Sequence, residues 1–89
     1  MPNFHLDRRA RDLLPKVTAG DPDELLTTEG LAELLGVSPQ FIKARTTEGN
    51  GPESHLFKPR SRRYRRGDAA AWLKERAAIF EKERADAEI

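Results

Sequence analysis

The chain has no cysteine among its 89 residues, and this absence excludes disulfide bonds and thiolate metal sites. It also has no apolar run near the ~20 residues that a membrane-spanning helix requires. The N-terminal stretch carries acids and arginines from Asp7 onward instead of the apolar segment of a signal peptide. We therefore expect a soluble, cytoplasmic protein with no cofactor, whose fold depends on packing alone.

Large apolar residues are also scarce, because aromatic residues make up only 7% of the chain and charged ones 35%. A chain this short buries roughly 60% of the surface that its unfolded form exposes, so its core is small. We interpret Trp72, Leu73, Phe41 and Ile42 as core residues rather than as a ligand site. The two histidines lie in different predicted elements, with no obvious paired carboxylate, and no nucleophile motif is present, so we do not expect an enzyme.

Positive charge is concentrated in one segment, although the formal net charge is only +1. From Ser54 to Gly67 there is no acid. The basic residues of this segment are Lys58, Arg60, Arg62, Arg63, Arg65 and Arg66. From Asp68 onward, acids outnumber bases, so the distribution of charge matters more than its total.

The first 24 residues are predicted to form a helix and a linker outside the main domain. Asn3 can cap a helix whose apolar residues fall near one face, namely Leu6, Ala10, Leu13 and Leu14. Pro15 is predicted to end this helix, because the residue before a proline disfavours the helical region. Residues 16–24 contain Gly20 and Pro22 and are predicted to be a loop.

Two helices separated by a tight turn follow. Thr27–Thr28 can cap the first helix, and Gly36 can end it in a left-handed conformation. Ser38 can cap the second helix, with Pro39 at its first position and Thr47 near its end. The apolar stripe of the first helix is Leu31, Ala32, Leu34 and Leu35. This spacing predicts a helix-turn-helix unit.

The basic segment is predicted to form a β-hairpin. Residues 48–52 can only be a turn or loop, and two extended runs, 55–58 and 62–66, follow with 59–61 as the turn between them. Asp68 can cap a last helix, and the charged tail 81–89 is expected to fray. The fold class is therefore mainly α with a small β-hairpin wing, a winged helix-turn-helix over residues 25–74, with a helical extension over 75–89.

Three separated runs, Leu26–Ser38, Arg62–Asp68 and Ala71–Leu73, together resemble the excisionase family. These are small MerR-like winged-helix proteins of phages and other integrated elements, related to the AlpA type of regulator. The resemblance implies double-stranded DNA as the partner, with the second helix in the major groove and the wing on the backbone or minor groove. It also implies an integrase or recombinase, or further copies of the chain on adjacent sites, as protein partners. The chain departs from the family at Arg45, where relatives commonly have a buried tryptophan, and at Ala44, where a long polar side chain often reads a base.

The candidate DNA-binding residues lie on the second helix and on the wing. They are Ser38, Gln40, Lys43, Ala44 and Arg45 on the helix, and Lys58, Arg60, Arg62, Arg63 and Arg65 on the wing. Gln40 can pair with adenine and Lys43 with guanine or phosphate, whereas the ordinary alternative is a solvated helix face. The hairpin segment has only positive charges, and Tyr64 lies among them. This pattern is more typical of an element that contacts DNA phosphates or enters the minor groove than of an edge strand whose charges only prevent aggregation.

Strand alternation limits how many of these arginines can meet the same DNA. It sends Arg63 and Arg65 to one face of the hairpin and Arg62, Tyr64 and Arg66 to the other.

Two alternatives remain open at this point. The sequence does not choose between an excisionase and a transcriptional regulator built on the same fold. A function of another class is a protein-interaction module, with Phe41, Ile79 and Phe80 as possible contacts.

Overall fold

The computed structural model describes residues 6–56, 58 and 61–87, and within them the protein is mainly helical with a small antiparallel sheet. The elements in chain order are α1 (Leu6–Thr18), β1 (Leu25–Leu26), α2 (Thr28–Leu35), α3 (Pro39–Glu48), β2 (His55–Leu56), β3 (Arg62–Arg65) and α4 (Arg66–Ala87). The prediction of a mainly helical fold with a small β element is confirmed. Asn3, His5 and Arg60 lie outside the described residues.

Helix α1 continues through Pro15 to Thr18, so the prediction that Pro15 ends it is wrong. A proline inside a helix costs stability because it cannot donate to the carbonyl of residue 11 and crowds it. Val17, which follows the proline, is nevertheless wholly buried. It lies on the same helix face as the buried residues Leu6, Ala10 and Leu13. The packing of this face outweighs the local preference, and the loop after α1 is shorter than predicted.

The predicted caps of the two following helices are confirmed. The Thr27 side chain accepts a hydrogen bond from the Gly30 amide at 2.9 Å, and Gly36 ends α2 with φ at +71°. The Ser38 hydroxyl accepts from the Phe41 amide at 3.2 Å. These side chains pair amide groups that lack a partner inside the helix, so the local sequence defines the turn between α2 and α3.

The sheet has the strand order β1-β3-β2, with one strand more than was predicted. In β1, Leu25 lies opposite Arg65 and Leu26 opposite Tyr64. On the other side of β3, His55 lies opposite Arg63 and Leu56 opposite Arg62. Because β1 has only two residues, it carries no alternating pattern of its own and exists through its pairing with β3.

Helix α4 begins at Arg66, so Asp68 lies in its first turn and is not its cap as predicted. It continues to Ala87, whereas the sequence predicted a fraying tail from residue 81. One buried cluster contains residues from all four helices and from β3, with α1 packed against α4. Its members include Leu6, Val17, Leu31, Leu35, Ile42, Tyr64, Trp72 and Leu73. The predicted boundaries at residues 24 and 74 therefore do not divide the core.

Candidate nucleic-acid interface

Helix α3 turns one face into the core and the opposite face to solvent. Ile42 is fully buried in the cluster that holds Leu31 and Leu35 of α2, as the apolar spacing predicts. The predicted base-reading residues Gln40, Lys43 and Ala44 are all exposed. The predicted outward orientation of these three side chains is therefore confirmed.

The remaining two helix candidates have structural roles as well. Ser38 is half-buried, and its hydroxyl forms the cap of α3. Arg45 is half-buried, and its guanidinium carbon lies 5.1 Å from the centre of the Phe41 ring. This distance permits a cation–π contact that keeps the Arg45 side chain along α3. The placement of Arg45 at the margin of a DNA-reading surface stays a prediction.

A cleft of about 790 Å³ separates α3 from the β2–β3 pair. Lys43, Thr46 and Thr47 line it from α3, and Arg62 and Arg63 line it from β3. Two carboxylates, Glu29 and Glu53, also belong to its lining. The cleft thus brings a predicted helix residue and two predicted hairpin arginines into one concave surface with mixed hydrogen-bonding groups.

The two arginines of the cleft are oriented by short contacts of their own. The Arg62 Nη1 donates to the Ser54 hydroxyl at 2.6 Å, and the Arg63 Nη1 donates to the carbonyl of Arg62 at 3.1 Å. Both side chains are half-buried. Lys58 is exposed and lines a separate, shallower depression of about 350 Å³ with Leu25, Ser61 and Arg63.

Tyr64 does not belong to the basic surface, although it lies between arginines in the sequence. Its side chain is fully buried in the core. Its hydroxyl lies 2.8 Å from the Thr46 hydroxyl of α3. The sequence interpretation that counted Tyr64 among the residues of a phosphate or minor-groove element is therefore wrong, because strand alternation turns this residue inward.

Arg65 and Arg66 point away from the cleft and bind other parts of the chain. The Arg65 Nη2 lies 3.1 Å from an Asp23 carboxylate oxygen. The Arg66 guanidinium donates to the Val17 carbonyl at 2.6 Å and to Glu24 at 2.8 Å. The structure thus separates the predicted wing arginines into Arg62 and Arg63, which line the cleft, and Arg65 and Arg66, whose partners lie in distant parts of the chain.

Sequence reasoning missed Thr46, Thr47 and Ser54 as residues of the cleft. Thr47 follows Lys43 by four positions, and this helical spacing alone could have identified it. Ser54 has no such signal, because its place depends on how the chain returns toward β3. Sequence reasoning also found no carboxylate for His55, whose Nε2 lies 3.8 Å from an Asp68 oxygen.

Within residues 6–56, 58 and 61–87, no group of three or more histidine, aspartate or glutamate side chains is placed to hold a metal ion. None of the helices described there combines the length and the apolar character needed to cross a membrane. The lining of the cleft contains more charged side chains than that of either smaller depression described in this part of the chain.

Comparison with protein-family models, with curated proteins and with solved structures finds no match for this chain.

Proposed function

We propose that the protein is a winged helix-turn-helix protein that binds double-stranded DNA in a sequence-specific manner. In this proposal, α3 is the recognition helix and the β2–β3 pair is the wing. The observation that carries it is the cleft, which Lys43 of α3 and Arg62 and Arg63 of β3 line together. A surface that joins a solvent-facing helix to two strand arginines suits the curved backbone of a duplex.

The exposed face of α3 supplies the groups for reading bases. The Gln40 amide can form two hydrogen bonds with the edge of adenine, and the Lys43 ammonium can donate to guanine or to a phosphate. Ala44 exposes a methyl group beside them, which suits contact with the methyl group of thymine. Since an α-helix fits the major groove of B-form DNA, these three side chains can reach base edges from one helix.

The cleft arginines supply affinity rather than sequence information. Phosphate contacts provide most of the sequence-independent binding energy because each one releases condensed counterions from the DNA. Arg62 and Arg63 are partly exposed, and their contacts within the chain leave further N–H groups on each guanidinium for phosphate oxygens. Arg65 contributes less in this arrangement, because Asp23 already pairs with it.

The experiment that tests this function is a selection from a pool of random duplexes. We expect the purified chain to enrich a defined sequence and to bind it at least tenfold more tightly than a scrambled duplex of equal length. Enrichment of no sequence, with equal affinity for selected and scrambled DNA, would contradict sequence-specific recognition.

Footprinting on the selected DNA then separates two roles within the proposal. Arrays of direct repeats, bound by chains side by side, would indicate an excisionase that acts with a recombinase. One inverted repeat would indicate a dimeric transcriptional regulator.

A further inference from the structure

Tyr64 lies where the sheet meets α3. It belongs to β3, the central strand, and pairs there with Leu26 of β1. Its side chain is fully buried, and its hydroxyl lies 2.8 Å from the hydroxyl of Thr46, in the last turn of α3. A buried tyrosine hydroxyl needs a hydrogen-bond partner, and here the partner is on the helix that lines the other side of the cleft.

The direction of this hydrogen bond follows from a second one. The Thr46 hydroxyl donates its single proton to the Ile42 carbonyl at 2.9 Å, because a carbonyl oxygen can only accept. Thr46 therefore accepts from Tyr64, so that the Tyr64 hydroxyl donates to Thr46 and the Thr46 hydroxyl donates to Ile42. The chain of two hydrogen bonds joins the central strand to the backbone of α3.

This link spans two elements whose main packing partners differ. Helix α3 packs chiefly against α2, whereas β3 pairs with the two other strands. The residues on either side of the link are the cleft residues Lys43 and Thr47 on α3 and Arg62 and Arg63 on β3. The hydrogen bond between Tyr64 and Thr46 thus lies at the base of the cleft, where a small change in angle alters the separation of these groups.

We infer that Tyr64 is a positioning residue that fixes the separation of α3 from the β2–β3 pair, so that both engage a duplex as one rigid unit. The DNA part of this inference rests on the proposed function. The geometric part does not, because it concerns only the free protein. Tyr64 itself contacts no DNA, since it has no exposed surface.

The stability of three variants tests the direction of the hydrogen bonds. Thr46→Val leaves the buried Tyr64 hydroxyl without an acceptor, whereas Tyr64→Phe leaves Thr46 still bonded to Ile42. We expect Thr46→Val to lower the melting temperature by about 5–15 °C and Tyr64→Phe by clearly less. Adding Tyr64→Phe to Thr46→Val should raise the melting temperature, because no unpaired hydroxyl is then left.

Thr18→Val is the matched control, because it removes a similar hydrogen bond from an exposed hydroxyl to the Leu14 carbonyl. We expect it to change the melting temperature by no more than a few degrees. A double variant that melts below Thr46→Val would overturn the proposed direction of the link.

The absence of native cysteine allows a direct measurement of the geometry. Spin labels on Glu48→Cys and Lys58→Cys, both exposed positions, report the separation of α3 from the hairpin. We expect one narrow distance distribution in the parent and a broader or shifted one after Tyr64→Phe, with the helical circular dichroism unchanged. An identical distribution in the two proteins would overturn the positioning role.

The DNA measurement compares Tyr64→Phe with the parent on selected and scrambled duplexes. We expect the preference for the selected duplex to fall about tenfold, while affinity for the scrambled duplex changes less than about threefold. A parent that binds no duplex would overturn the proposed function, with the distance measurement still deciding the role of Tyr64. A parent that binds selectively and a Tyr64→Phe variant that keeps its full preference would overturn this inference alone.

Discussion

The Arg66 guanidinium donates from Nε to the carbonyl oxygen of Val17 at 2.6 Å and from Nη2 to that of Lys16 at 3.1 Å. These carbonyls belong to the last turn of α1, where backbone acceptors have no partner within the helix. The first residue of α4 therefore caps the end of α1. An arginine that the sequence placed in a DNA-binding hairpin instead joins the N-terminal helix to the core.

This contact predicts that Arg66→Ala destabilises the fold. The side chain is only 15% exposed, and its removal leaves two carbonyls and Glu24 without their donor. We expect the free energy of unfolding to fall by about 2–3 kcal/mol in urea titrations, since hydrogen bonds to a charged group are the stronger ones. Arg63→Ala is the control and should change it by no more than about 0.5 kcal/mol. Equal stability of the two variants would show that the cap contributes nothing.

Features that depend on neighbouring residues could be predicted from the sequence. The caps at Thr27 and Ser38 and the left-handed Gly36 follow from the chemistry of single side chains next to an apolar stripe. The solvent-facing side of α3 followed in the same way, because burying Ile42 leaves Gln40 and Lys43 outside. Helical spacing was sufficient for this part of the candidate site.

Features that depend on distant residues could not be predicted. The helix continues through Pro15 because α1 packs against α4, which is encoded some 50 residues later. Strand β1 exists through its pairing with β3 and has no pattern of its own. The partners of Arg65 and Arg66 lie 42 or more positions away in the sequence. Strand alternation assigned Arg62 and Arg63 to opposite faces and did not predict that both would line the cleft.

Trp72 is predicted to be essential for stability. It is 7% exposed, and its indole N–H donates to the Asn50 carbonyl at 2.9 Å, at the loop between α3 and the hairpin. Truncation of a buried aromatic costs roughly 3–5 kcal/mol, which is most of the stability of a small domain. We expect Trp72→Ala to show no cooperative thermal transition by circular dichroism at 222 nm. A cooperative melt close to that of the parent would contradict its place in the core.

The cleft arginines are predicted to act on all DNA sequences alike. Replacement of Arg62 and Arg63 by alanine should leave the fold intact and weaken binding to selected and random duplexes by a similar factor, because phosphate contacts carry little sequence information. Mobility-shift titrations at fixed salt measure both affinities. The control is the double variant Lys74→Ala and Lys82→Ala. It removes the same amount of positive charge from exposed positions of α4. If this control weakened binding as much, net charge and not the cleft would explain the effect.

The two faces of α3 are predicted to have different effects on recognition. Gln40→Ala should reduce discrimination between selected and scrambled duplexes by about 1–3 kcal/mol, because in the proposed complex its exposed amide reads a base. Arg45→Ala should lower affinity for both duplexes alike, since the side chain lies along the helix beside Phe41. Paired titrations at one salt concentration measure both quantities. If Gln40→Ala kept full discrimination and Arg45→Ala lost it, the assignment of the two helix faces would be wrong.

The salt dependence of duplex binding tests the central claim most directly. Lys43, Arg62 and Arg63 at the cleft, with Lys58 beside it, would make three or four phosphate contacts. The logarithm of the association constant should then fall with the logarithm of salt concentration with a slope of about −2.7 to −3.6. Between about 50 and about 200 mM salt this slope is a loss of roughly 40- to 150-fold in affinity. An affinity for duplex DNA that stays constant over this range would contradict binding through these phosphate contacts. No binding at either salt concentration would contradict DNA binding and favour the protein-interaction module.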